Sequence, residues 1–345
     1  MKRLGEAALR LVMVGFGAVG QSVAKLLIMK EKQLITDFGM RPRVVGIADS
    51  RGAVVNEKGL DLEMALKTKY EKGTVAEEKT HELPVELIRR IEADVLIETT
   101  PTNFKTGEPG LSHIKASLQA KKSVITTNKG PLARAFHALL ELARYNNVHL
   151  KFSGAVGAGT PILDFGKVCS RGDRIIGLKG VLNATTNLIL TQMEQNNSTF
   201  EEALKYAQKE RYAEADASLD VEGVDTAVKL VIIVNSLMSQ RPTLRDVKIR
   251  GIGKVSREDL HNARNRGKGV RLLASADDEF SVSPSEIDRR DPLFVSGPYN
   301  AVKFLCEYSG EKVVVGRGAG GMETASSVLR DLLEIRDQLS GRSQT

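Results

Sequence analysis

Two cysteines in 345 residues, Cys169 and Cys306, are too few for a disulfide framework or a thiolate metal cluster, and they fit a reducing, cytoplasmic setting. No apolar run approaches the roughly 18 residues that cross a bilayer, so no membrane-spanning helix is expected. A basic block is missing too. Lys and Arg outnumber Asp and Glu by 50 to 43, and that excess is spread along the whole length. The pattern argues against a nucleic-acid partner and suits an anionic small ligand. Tryptophan is absent, and there is no internal repeat or low-complexity segment. The start, Met1-Lys2-Arg3 before an apolar stretch, has the outline of a signal peptide. However, Gly15, Gly17 and Gly20 interrupt it and Gln21 and Lys25 follow, so it reads as the first strand of a fold. With 41% hydrophobic and 27% charged residues, the chain can bury a sizeable core and is expected to form two domains.

A short run, apolar apart from Arg10 (Leu9 to Val14), the turn GFGAVG (Gly15 to Gly20) and a segment with helical spacing at Val23, Leu26 and Leu27 read as strand, glycine turn and helix. A second strand, Val44 to Ser50, follows at the distance a βαβ unit requires. Later come Asp94 to Thr100, a helix from about Leu111 to Ala120, a strand from Ser123 to Lys129, a helix around Leu132 to Tyr145, and VHLKFSG. Strands alternating with helices imply a parallel, doubly wound sheet. After about Ser153 the rhythm changes. A strand runs into a helix at Thr186, FEEALKYAQKE is amphipathic, and GVDTAVKLVIIVNSLM reads as a long buried helix. A glycine-rich, charged connection from Arg241 to Lys268 carries a short helix. Two hairpins follow, turning at Asp277-Asp278 and Ser309-Gly310, before a final helix from Thr324 to Leu339.

Glycines alone mark ordinary turns, but here the context is specific. In G-x-G-x-x-G, Gly15 allows the tight turn, Gly17 lets the backbone approach a pyrophosphate, and Gly20 lets the helix pack on the strand. Gly15, Phe16, Gly17, Ala18, Val19 and Gly20 are therefore candidate dinucleotide contacts, with the helix amino end facing the phosphates. Asp49, near the end of the second strand, suits an adenosine ribose and hence NAD. Arg51 suits the 2′-phosphate of NADP, and the two signals oppose each other.

Ligands of open α/β sheets bind beyond the carboxyl ends of strands. ETTPTN (Glu98 to Asn103) and TTNKGPLA (Thr126 to Ala133) sit there, which makes Thr99, Thr100 and Pro101 candidates to line a nicotinamide. Lys129 in the second loop is placed to polarise or protonate a carbonyl oxygen. Further on, Tyr212, Glu214, Asp216, Asp220, Glu222, Asp225 and Lys229 crowd one segment. Asp225 and Lys229 are four residues apart on one helix face. On a surface such a pair contributes only a few tenths of a kcal/mol. This pair opens onto an otherwise buried helix, and a lysine oriented by an aspartate is a credible proton source for an aldehyde accepting hydride.

GFGAVG, TTPTN, TTNKGPLA, GAVGAGTPIL, GLKGVLNATTNLIL, YAEADASLDVEGVDTAVKL and the closing GRGAGG, in that order over nearly the whole chain, resemble homoserine dehydrogenase in its short form, without aspartokinase or ACT domain. The resemblance implies NAD(P)H-dependent, reversible reduction of L-aspartate 4-semialdehyde to L-homoserine, on the route to threonine, isoleucine and methionine. It implies that Lys129, Asp225 and Lys229 are catalytic, either lysine being a candidate proton donor. It also implies that Glu214 and Asp220 engage the amino-acid end, with Thr185 and Tyr212 nearby. Family members often hold a monovalent cation, Na+ or K+, on carbonyls that match Val156, Ala158 and Thr160. The upstream glutamate of that site is Ser153 here, and Ala184 stands where many relatives have glycine. GRGAGG, with Gly318, is expected to return to the cofactor.

The fold expected is α/β, a doubly wound Rossmann nucleotide-binding domain (1–150 plus 316–345) with an inserted α+β substrate and dimerisation domain (151–315). A homodimer is expected, with the hairpins from Gly269 onward as candidate interface. Two rivals remain at this stage. Aspartate-semialdehyde dehydrogenase needs a cysteine nucleophile with an activating base, and neither Cys169 nor Cys306 has a histidine nearby in sequence. An NAD(H)-binding regulatory or sensor protein would have no need of proton donors.

Overall fold

The computed structural model describes residues 8–76 and 84–340; the Met1-Lys2-Arg3 start lies outside the described residues. Two compact units are present: Met1–Ala155 with Thr324–Thr345, and Val156–Glu323.

The first unit holds strands β1 (Ala8–Val14), β2 (Arg41–Ala48), β3 (Ala53–Val55), β4 (Val95–Glu98), β5 (Ser123–Thr126) and β6 (Leu150–Lys151), in the order β3-β2-β1-β4-β5-β6. All pair in parallel except β3, which runs antiparallel to β2. The central strands are buried on both faces, which is why β1 from Leu11 onward and β4 up to Ile97 read as continuous apolar runs rather than alternating ones. Strand order reverses between β1 and β4, so the GFGAVG turn and the ETTPTN loop emerge side by side at a topological switch point.

Helix Lys129–Tyr145 begins three residues before the expected Leu132, because Asn128 caps it by accepting a hydrogen bond from the Gly130 N–H. The strand expected from Asp94 to Thr100 ends at Glu98. Helix Leu62–Lys72 and the short β3 were not foreseen. Ala65 is the helix's one buried residue, and its apolar side, Leu62, Ala65 and Leu66, covers little more than one turn before a lysine-rich remainder.

The last helix, Gly321–Leu339, belongs to the core of the first unit from Thr324 onward. Ala325, Val328, Leu332 and Ile335 join Leu11, Met13, Val95 and Ile97 in one cluster. Buried Asp331 accepts from the Ser153 N–H (3.0 Å) and from its hydroxyl (2.7 Å), tying that helix to the end of the sheet.

The second unit is built on β7 (Ile175–Val181), β8 (Lys248–Ile249), β9 (Lys268–Ala276), β10 (Phe280–Asp288), β11 (Tyr299–Cys306) and β12 (Gly310–Arg317), in the order β12-β11-β7-β9-β10-β8. Both expected hairpins, β9 with β10 and β11 with β12, are antiparallel pairs. Helix Val224–Leu237 is buried without a break from Asp225 to Val234, which places Asp225 and Lys229 below the surface of the unit. Helix Ala184–Asn196 starts two residues before Thr186, again because an asparagine, Asn183, caps it.

Candidate active site

In the first unit each glycine of the turn answers a different steric demand. Gly15 has φ +93°, and a Cβ there would lie 2.5 Å from the Thr99 carbonyl carbon. A Cβ on Gly20 would lie 2.3 Å from the Gly15 carbonyl oxygen, so Gly20 is what lets helix Ala18–Thr36 close on the turn. Gly17 differs, since a Cβ there would meet nothing within 4 Å. It is the N-cap of that helix and no side chain caps it. The open space and the uncapped amide end are of the kind that can hold a diphosphate. Phe16 points into the core, 1% exposed, and contributes only backbone to this side, while Val19 is half-buried against the same core.

Beside the turn, Glu98 closes β4 and is completely buried. It accepts from the Thr100 N–H (3.0 Å), the Thr100 hydroxyl and the Thr126 hydroxyl (2.7 Å), with His113 Nδ1 3.9 Å away. Asn128 reaches back with Nδ2 to the carbonyls of Thr100 and Pro101, each at 3.3 Å. The Thr99 hydroxyl donates to the Gly15 carbonyl at 2.6 Å. Glu98 and Asn128 thus lock the two loops that carry Thr99, Thr100, Pro101 and Lys129 into one polar network. Neither was singled out from sequence, although an acid ending an apolar strand was a readable signal. Lys129 is the first residue of its helix and half-buried.

Asp49 follows β2 and is engaged on both oxygens. It accepts from Lys69 Nζ (2.7 Å), the Val75 N–H (3.0 Å), the Arg51 N–H (2.9 Å) and the Thr74 hydroxyl (3.1 Å). Burial pushes its pKa up, but the Lys69 ammonium and these donors prevail and hold it below the usual carboxylate range. The Arg51 side chain beside it is exposed, with only a long 3.5 Å contact to the Lys72 carbonyl.

In the second unit Lys229 and Asp225 are each 7% exposed and form an ion pair at 2.8 Å. Lys229 also donates to the Leu182 carbonyl at 2.8 Å, so two of its three ammonium protons are directed by the protein. Asn183 Nδ2 donates to Asp220 Oδ1 (2.6 Å) and to Asp225 Oδ2 (2.9 Å). Asn300 Nδ2 joins Lys229 on the Leu182 carbonyl, at 3.2 Å. The fold therefore gathers Asp220, Asp225 and Lys229 into one hydrogen-bonded constellation, in which Asp225 and Lys229 are buried, Asp220 is half-buried and the carboxylates outnumber the ammonium by one.

Family models match both units: the homoserine dehydrogenase NAD-binding domain over residues 15–153 and homoserine dehydrogenase over residues 161–333. A homoserine dehydrogenase of Methanocaldococcus jannaschii is 41% identical over 329 residues, covering 94% of this chain and 98% of that protein. This chain belongs to the homoserine dehydrogenase family. An NAD(+)-dependent homoserine dehydrogenase of Pseudomonas canavaninivorans is 36% identical, covering 97% and 98%. A solved structure of a hyperthermophilic archaeal homoserine dehydrogenase in complex with NADPH superposes with a TM-score of 0.84 at 28% identity, covering 96% of this chain and 98% of that one. The family makes this chain an NAD(P)-dependent oxidoreductase.

Other residues expected at a homoserine dehydrogenase site are spread more loosely through the second unit. The buried Thr185 spends its hydroxyl on the carbonyl of half-buried Tyr212, at 2.7 Å. Glu214 is exposed, and only its backbone carbonyl is engaged, by Gln208 at 3.3 Å. Gly318 lets the buried Asn300 approach, since a Cβ there would fall 2.1 Å from Asn300 Oδ1. On the AVGAGT turn, Val156, Ala158 and Thr160 are all buried, and the Thr160 carbonyl already accepts from the Ile162 N–H at 2.8 Å. Cys306 is buried, and burial pushes the Cys169 thiol up, the opposite of what a nucleophilic cysteine needs.

Proposed function

We propose that this homoserine dehydrogenase binds NAD(P)H on its first unit and L-aspartate 4-semialdehyde on its second, and reduces the aldehyde reversibly to L-homoserine. The buried Lys229–Asp225 pair carries this reading, because it holds an ammonium out of water, at a desolvation cost, and in a fixed direction. Bound NAD(P)H supplies the hydride that the aldehyde carbon accepts. Lys229 gives its remaining proton to the carbonyl oxygen as negative charge builds there, and Asp225 and the Leu182 carbonyl fix the ammonium's direction. Lys129, on the first unit, is the second candidate donor. Asp220 and Glu214 receive the substrate ammonium group, with Thr185 and Tyr212 shaping the pocket on that unit. Following NADH and NADPH absorbance with homoserine and with aspartate semialdehyde tests the reading. Tight cofactor binding without turnover would replace it with the sensor.

Gly17 offers a clean test of the cofactor cradle. Gly17→Ala is expected to cost less than about 1 kcal/mol of stability, since its Cβ meets nothing in the protein, while weakening NAD(P) binding at least about tenfold by filling the diphosphate's space. Thermal melts and fluorescence titration of the same preparation separate the two effects.

For the nucleotide's far end, the Asp49 charge is offset by Lys69, so a 2′-phosphate meets no bare carboxylate, and the exposed Arg51 fork can pair with it. This supports NADP(H) as the better cofactor. Arg51→Ala is expected to raise the Kd for NADPH about tenfold and that for NADH less than about twofold. Equal losses would take Arg51 out of the phosphate site.

Two finer readings complete the proposal. A second copy of the chain covers the edge strand β12, where Val313, Val314 and Val315 are all at least partly exposed, so that neither face of the strand is fully covered. A solution mass of a single chain would remove this homodimer. A monovalent cation sits on the carbonyls of Val156, Ala158 and Thr160. Its binding is weak because Ser153 brings no charge and the Thr160 oxygen is already engaged. Turnover that is unchanged when K+ and Na+ are replaced by a bulky organic cation would discard it.

A further inference from the structure

We propose that Asn183 is a positioning residue that couples the substrate-binding acid Asp220 to the acid that orients Lys229; the proposal rests on the reading of the second unit given above. Asn183 is 4% exposed and stands at the N-cap of helix Ala184–Asn196, in extended backbone. Its Oδ1 accepts from the Thr186 N–H at 2.8 Å. That bond fixes which way round the amide lies, because the helix end presents only donors there. The Nδ2 end is thereby committed to the opposite side, where its two protons meet Asp220 Oδ1 at 2.6 Å and Asp225 Oδ2 at 2.9 Å.

Asp225 Oδ2 is also the oxygen paired with Lys229, so a single atom takes Asn183 Nδ2 and Lys229 Nζ together. Two carboxylates held on one amide nitrogen would otherwise repel each other and drift apart. With the bridge in place, Asp225 is directed at Lys229 while Asp220 is held at a fixed distance from it. No other common side chain does both jobs. Serine, threonine or aspartate would cap the helix, but the hydroxyls are too short to bridge and aspartate would add a third negative charge.

Asn183→Ser therefore separates the two roles, because it retains a cap and loses the bridge. It is expected to melt close to the parent protein and to bind NADPH with unchanged affinity. Its kcat/KM for aspartate semialdehyde should fall roughly 10- to 100-fold, since a misdirected proton donor costs rate even when present. The acid limb of its pH profile should move to higher pH, because a carboxylate that loses a donor is harder to ionise. Asn183→Asp, which caps equally well, should move that limb further and carries the test should the serine variant fold poorly. Parent kcat/KM, or a rate loss with an unmoved acid limb, would reduce Asn183 to a helix cap and overturn the proposal. Lys229→Ala measured alongside tells the two readings apart. If it retains turnover, the reading of the whole site falls and this inference with it; if it is inactive while Asn183→Ser is silent, only the role of Asn183 falls.

Discussion

Lys229→Met is expected to lower kcat for homoserine oxidation by about 10²- to 10⁴-fold, the range lost when a positioned general acid–base group is removed, while the Kd for NADPH stays within about twofold. The same substitution leaves Asp225 buried and deprived of its cation, which costs on the order of 3–5 kcal/mol of stability. Turnover and stability thus fall together, and neither alone identifies the role. Asp225→Asn resolves this, because it keeps the shape and a polar partner for Lys229 while removing the charge. If the pair acts as a unit, the double variant should be hardly slower than Lys229→Met alone. Additive losses, or a Lys229→Met enzyme that retains most of its rate, would mean that the buried pair only supports the fold. Steady-state kinetics, fluorescence titration and thermal melts on the four proteins of the cycle give the answer.

Glu98→Ala should have the next largest effect, and of a different kind. Glu98 touches neither reacting centre in the proposed mechanism, yet it accepts three hydrogen bonds in a fully buried setting. Truncation strands the Thr100 amide and the Thr126 hydroxyl, at about 1–3 kcal/mol for each buried group left unpaired. The loops that carry Thr99 to Pro101 and Asn128 to Lys129 then lose their common anchor. Cofactor affinity is expected to drop at least about tenfold, since the binding surface must be reordered at each association. Glu98→Gln should recover little, because its NH2 end would face at least one of the donors that the carboxylate accepts. An Ala variant with parent NADPH affinity and parent melting temperature would show that the loops are held by Asn128 and packing alone.

Much of the nucleotide-binding unit was legible because its signals are local. An apolar run buried on both faces, three glycines at fixed spacing and a following amphipathic helix each reflect backbone rules that operate within a dozen residues. The Asp225–Lys229 pair was legible for the same reason, since i and i+4 share a helix face wherever the helix lies. Helix starts at Lys129 and Ala184 were missed by two or three residues. In both cases an asparagine ahead of the apolar pattern supplied the cap, and its side-chain amide also hydrogen-bonds a residue of the candidate site.

By itself, the sequence determined the alternation of strands and helices, the dinucleotide turn, the two hairpins and the family, all of which follow from periodicity, turn chemistry and ordered motifs. Tertiary structure alone decided which polar groups meet. It set Lys69 against Asp49, Glu98 against Thr126, Asp331 against Ser153 and Asn183 between Asp220 and Asp225, across separations of 20, 28, 178, 37 and 42 residues. A side chain's hydrogen-bond partner depends on where the backbone arrives after several elements have packed, and no local pattern encodes that arrival. Asp49 and its neighbour Arg51 point to opposite cofactors by sequence, and only the tertiary structure shows that Lys69 holds the Asp49 carboxylate.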